Sequence, residues 1–147
     1  MGDRRKSREL ALQALFALDL NKSDLNKSDP DKTGSPQQMD EFLEQHGEDL
    51  SESTRVFFLT LVDGVQENRE KIDTLLDQWA KNWKISRMPA VDRNIMRIAV
   101  FEMLNLSDIP SSVSINEAVE IGKKFGTRDS GPFINGVLDR IRALHGL

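Results

Sequence analysis

The sequence has no cysteine and only two histidines among its 147 residues. Without thiols there can be no disulfide framework, no zinc–thiolate site and no cysteine nucleophile. His46 and His145 stand far apart, with no metal-ligand spacing around either, and read as exposed surface histidines. Long hydrophobic runs are also missing: no apolar stretch approaches the about 20 residues that cross a bilayer. The basic N-terminus is not followed by the apolar segment of a secretory signal. The glycines fit neither a P-loop nor a dinucleotide fingerprint, and no carboxylates form a recognisable acid/base pair. These absences point to a soluble cytoplasmic protein that is not an enzyme, uses no cofactor and makes no membrane contact.

Basic charge looks scarce as well, since the net charge is −4. The deficit is local. Residues 19–54 hold ten acids against three bases, whereas the remainder holds seventeen bases against fourteen acids and carries +3. The acidic total therefore does not exclude a nucleic-acid partner. The length suits one domain, 1–147, large enough to enclose a core without staples.

Apolar spacing is helical throughout, with no convincing strand, and about seven helices are expected in an all-α fold of packed helical layers. Leu10, Leu12, Ala14, Leu15, Phe16 and Leu18 form the stripe of a first helix over about Ser7–Leu20. Residues 21–35, with a twice-written Asn-Lys-Ser-Asp, have Leu25 as their one apolar residue and read as a flexible insert loop. Ser35-Pro36 resembles an N-cap and first helical residue, leading through Met39, Phe42 and Leu43. A helix from about Ser51–Ser53 should bury Val56, Phe57, Leu59, Leu61, Val62 and Val65, and the next Ile72, Leu75, Leu76 and Trp79. Pro89 should open a helix to Asn105, burying Val91, Ile95, Ile98, Ala99, Phe101 and Leu104. Ser114 and Glu117 fit a capping box, and Gly126 an αL closure of the same helix. Ser130 should cap a last helix over about Gly131–Ala143, in which Gly136 marks close packing.

Three features could carry function. Arg4, Arg5, Lys6 and Arg8 place cations at the positive end of a helix dipole, an unfavourable arrangement that bound phosphate would offset. A frayed, solvated terminus is the plainer alternative. The run from Lys123 to Phe133 puts three cations (Lys123, Lys124, Arg128) and two aromatics around a turn, as single-stranded RNA requires. Taken as packing instead, both aromatics are core, Phe125 above all. Asp92, Arg93, Arg97 and Glu102 line one helix and read either as a solvated face or as a charged rim for a protein partner.

Four blocks together resemble the NusB family of transcription antitermination factors. They are Arg4–Phe16, Val91–Leu104, Ile109-Pro110 with Ser114–Glu120 and Lys123–Gly126, and Phe133–Asp139. They occur in order and cover over half the chain, while residues 21–54 show no useful match. The resemblance implies two helical subdomains. It also implies binding of boxA-type single-stranded RNA of nascent transcripts jointly with NusE, a small-subunit ribosomal protein, and entry into the RNA polymerase elongation complex. Carried onto this sequence, the candidate RNA-binding residues are Arg4, Arg5, Lys6, Arg8, Lys123, Lys124, Arg128, Asp129 and Phe133. The candidate partner-binding residues are Phe16, Asp92 and Arg93. Some members of the family self-associate, so a homodimer of the free chain is among the expected states. A methyltransferase-linked RNA-binding domain and a helical protein–protein adaptor are the rival readings.

Overall fold

The computed structural model describes residues 2–24, 41–45, 50–80 and 87–147. Among them are seven helices and no strand: α1 (Gly2–Asp24), α2 (41–45), α3 (Glu52–Glu67), α4 (Arg69–Trp79), α5 (Ala90–Asn105), α6 (Ser111–Phe125) and α7 (Ser130–His145). The all-helical class is as expected. Two compact units divide the chain, Met1–Gln66 and Glu67–Leu147.

In the first unit α1 is longer than its apolar stripe. It begins before the basic cluster and continues to Asp24, so the first four residues of the expected insert loop are helical. The rest of that loop, the Ser35-Pro36 cap and His46 lie outside the described residues. Leu10, Ala11, Leu12, Ala14, Leu15 and Leu18 are buried, with Phe16 half-buried. Ser51 opens α3 as expected, its hydroxyl accepting the Thr54 N–H at 3.2 Å. The core face of α3 is Thr54, Phe58, Leu61, Val62 and Val65. Val56, expected inside, is 52% exposed, and Phe57 and Leu59 are not fully buried. Two residues rotate a helix by about 200°, so a face centred on Phe58 turns Val56 outward. Phe58 also stacks on Phe42, centroids 5.8 Å apart and rings within 1° of parallel. The Ser7 hydroxyl, fully buried, donates to the Thr54 carbonyl at 2.8 Å and joins α1 to α3.

The second unit is built around α5, which is buried from Asn94 to Met103 without a break. This overturns the expected solvated face: Asp92 and Arg97 are 4% exposed and Glu102 is 1% exposed. Buried charge requires a partner, and each of these residues has one on a different helix. Arg97 Nε and Nη2 donate to Asp73 Oδ1 and Oδ2 of α4 at 2.8 and 2.9 Å. The Ser114 hydroxyl of α6 donates to Glu102 Oε1 at 3.0 Å. The Ser130 hydroxyl of α7 donates to Asp92 Oδ1 at 2.7 Å.

Those bonds explain two shifted helix ends. Ser114 does not cap α6, which starts three residues earlier behind Pro110, because its hydroxyl is committed to Glu102. Ser130 is the first residue of α7 and not its cap. It accepts the Thr127 N–H at 2.8 Å while donating to Asp92, and so ties the α6–α7 turn to α5. Gly126 ends α6 as expected, but in an extended conformation (φ −95°, ψ −156°); the left-handed glycine is Gly146, at φ 65° after α7. Close packing of α6 on α7 falls at Gly122, where a Cβ would lie 2.6 Å from Ile134 Cδ1. It does not fall at Gly136, which is exposed and has nothing within 4 Å of an added Cβ.

Two stability predictions arise here. Gly136→Ala should stabilise the chain by about 0.5–1 kcal/mol, since a mid-helix glycine gives up backbone entropy with no packing in return; thermal unfolding should show a rise of roughly 2 °C. Burial holds the Asp92 carboxyl above the usual carboxylate range, against a smaller lowering by the Ser130 hydrogen bond. The stability of the protonated form is then present in full below the unfolded pKa and lost as pH rises through the folded one. Asp92→Asn keeps an acceptor for Ser130 without the charge. It should be more stable than the parent at neutral pH, by a margin that closes on acidification in pH-resolved denaturant titrations.

Candidate nucleic-acid interface

The first unit divides the basic cluster. Arg4, Arg5 and Lys6 are exposed on the first turns of α1, where the partial positive charge of the helix end adds to theirs. Arg8, expected among the surface contacts, is only 3% exposed. Positions 4 and 8 share a helix face, and that face meets an aromatic ring. The guanidinium carbons of Arg4 and Arg8 lie 5.0 and 5.4 Å from the Phe57 ring centroid. Phe57 had no signal in the sequence beyond membership of an apolar stripe. Phe16 is half-buried further along α1.

In the second unit the candidates gather at the α6–α7 turn. Lys123 and Lys124 are exposed on the last turn of α6, and Arg128 and Asp129 are exposed in the turn itself. Lys123 Nζ lies 3.3 Å from Glu120 Oε1, an exposed pair of little energetic weight. Phe125, expected in the core, is 37% exposed, with Lys124 Nζ 5.1 Å from its ring centroid. As the last residue of α6 it has no further turn to cover it. An aromatic face beside a cation is thereby accessible to solvent.

Beside this turn lies a pocket of about 320 Å³ lined by Pro89, Asp92, Thr127, Asp129 and Phe133. It brings Asp129 and Phe133, candidates for RNA, together with Asp92, a candidate for a protein partner; Arg93, half-buried one residue on, is not in its lining. Pro89 and Thr127 were not among the candidates; Thr127 belongs to the Lys123–Phe133 run, whereas only the fold brings Pro89 beside Phe133. The lining offers a ring, a pyrrolidine, a hydroxyl and two carboxylates, one held above its usual range by burial. Such a surface stacks on a flat group and accepts hydrogen bonds from the group's N–H edges; it repels phosphate.

Elsewhere in this unit, His145 Nε2 accepts the Trp79 indole N–H at 3.2 Å, which gives the exposed histidine a structural partner. Among the described residues no three His, Asp or Glu side chains could hold a metal ion together. None of the described helices is long and apolar enough to cross a membrane.

Comparison with known proteins bears on both units. The NusB family matches residues 5–143. The transcription antitermination protein NusB of Desulforapulum autotrophicum is 55% identical, across 100% of this chain and 96% of its own. The solved T. maritima NusB superposes with a TM-score of 0.79 at 33% identity, covering 95% of this chain and 90% of that one. The antitermination factor NusB solved with NusE and double-stranded RNA shares the fold, with a TM-score of 0.79 at 24% identity over 98% of each chain. The family match spans nearly the whole length, so the chain belongs to the NusB family of transcription antitermination proteins, which are not enzymes.

Proposed function

We propose that the chain binds boxA-type single-stranded RNA of nascent transcripts together with NusE, and joins the RNA polymerase elongation complex in the cytoplasm. The observation that carries this reading is the placement of Arg4, Arg5 and Lys6: three exposed cations on the opening turns of a helix whose dipole disfavours them. A phosphodiester strand brings negative charge to that helix end, and arginine's planar fork suits phosphate oxygens.

The second unit supplies a different kind of contact. Lys123, Lys124 and Arg128 hold the strand by charge, while the acceptor-lined pocket beside Phe133 takes base edges through Asp129 and Thr127. Phe16 of the first unit, and Asp92 with Arg93 of the second, are the proposed contacts for NusE; the buried Asp92 is reached through the pocket it lines. No covalent step is needed. Bound RNA tethers the assembly near polymerase and raises its local concentration.

Filter binding of boxA RNA and a scrambled control, with and without NusE, tests the reading. BoxA RNA should be retained in preference, most clearly with NusE present. Arg4→Ala with Arg5→Ala should weaken retention on the order of tenfold and reduce the salt slope by about 1.4, the share of two phosphate contacts on a single strand. Arg8 is left in place because it is buried. Equal retention of both RNAs in the presence of NusE overturns the reading in favour of a protein–protein adaptor.

A further inference from the structure

Phe57 sits between a core residue and a surface one: Phe58 is fully buried, Val56 is 52% exposed, and Phe57 itself belongs wholly to neither. Two guanidiniums reach that one ring, Arg4 at 5.0 Å and Arg8 at 5.4 Å. Like charges so placed repel each other, and the electron-rich ring face offsets part of that repulsion. The contact is held in register from both sides. Ser7, between the two arginines, donates to the carbonyl of Thr54, three residues before Phe57, and Thr54 is fixed in turn by Ser51.

We propose that Phe57 is a positioning residue for RNA binding. Its ring fixes the exposed Arg4 guanidinium in place before RNA arrives, with the buried Arg8 against the same ring. Arg4 then meets a phosphate with its side-chain freedom already given up to the ring. The inference rests on the RNA-binding reading above and deepens it: neither a helix-dipole argument nor the arginine-rich sequence singles out this ring.

The test uses the full chain with Phe57→Leu, which keeps apolar bulk and removes the ring, and Phe57→Tyr, which keeps the ring face. Affinity for boxA RNA is measured across salt concentrations, with thermal unfolding alongside. Phe57→Leu should weaken binding about threefold to tenfold and flatten the salt dependence, while Phe57→Tyr stays near the parent. A double-mutant cycle should show Arg4→Ala costing less affinity in the Phe57→Leu background than in the parent. Parent-like binding by Phe57→Leu overturns the inference, as does equal weakening by the two Phe57 substitutions, or strict additivity in the cycle. If the parent binds RNA and Arg5→Ala weakens it, those failures leave the RNA reading standing. A parent that retains no RNA overturns both.

Discussion

A charged side chain leaves water only when something answers its charge, and α5 carries three such side chains into the interior of the second unit. Asp92, Arg97 and Glu102 stand five residues apart, and five residues turn a helix through about 140°. They therefore face three directions and meet three helices: α7 through Ser130, α4 through Asp73 and α6 through Ser114. Rotating any of these helices about α5 would strand a polar group, and breaking a buried ion pair typically costs about 3–5 kcal/mol. Apolar packing alone would tolerate several arrangements; the polar contacts select one. The Arg97–Asp73 pair, with guanidinium contacts of 2.8 and 2.9 Å, is the most geometrically demanding of them.

The same requirement shapes the site. Asp92 lies within the fold, yet it belongs to the lining of the pocket and bonds to the serine that holds the turn. A carboxylate in that position destabilises the ionised chain through desolvation while organising the segment that carries Arg128 and Asp129. Stability alone would favour an amide there. In the proposed role that carboxylate would face an N–H-bearing group entering the pocket it lines.

How far the sequence could be read follows from the range of each interaction. Helix positions came through where their signal is local: Ser51 beside the Thr54 N–H, Pro89 ahead of α5, and apolar residues one turn apart. The misreadings were of partners distant in the chain. Arg97 reads as part of a solvated face or a partner's rim, because nothing in the spacing discloses that Asp73, 24 residues earlier, sits against it. Ser114 fitted a capping box until Glu102, 12 residues before it, claimed the hydroxyl. Among the candidate residues, the exposed cations of α1 in the first unit, and separately those of α6 in the second, were legible from charge alone. The burial of Arg8, the exposure of Phe125 and the contact of Phe57 with two guanidiniums were not, because an aromatic or an arginine on an amphipathic helix has the same spacing whichever way its neighbours leave it.

In the proposed role the two kinds of surface divide the work of recognition. Cations on phosphates give affinity with no sequence information, and that affinity falls with salt. An acceptor-lined pocket adds little attraction for a polyanion, since its carboxylates repel phosphate, but it distinguishes an N–H edge from a carbonyl edge. A chain with only the first would hold any transcript; a chain with only the second would hold none. Net charge cannot reveal such a division, because the acids of residues 19–54 outweigh the cationic excess elsewhere. Only the placement of the charges on the folded chain separates exposed cations from an acceptor-lined pocket. Modest affinity from each suffices in the proposed role, because RNA and polymerase are already tethered and each contact acts at a high effective concentration.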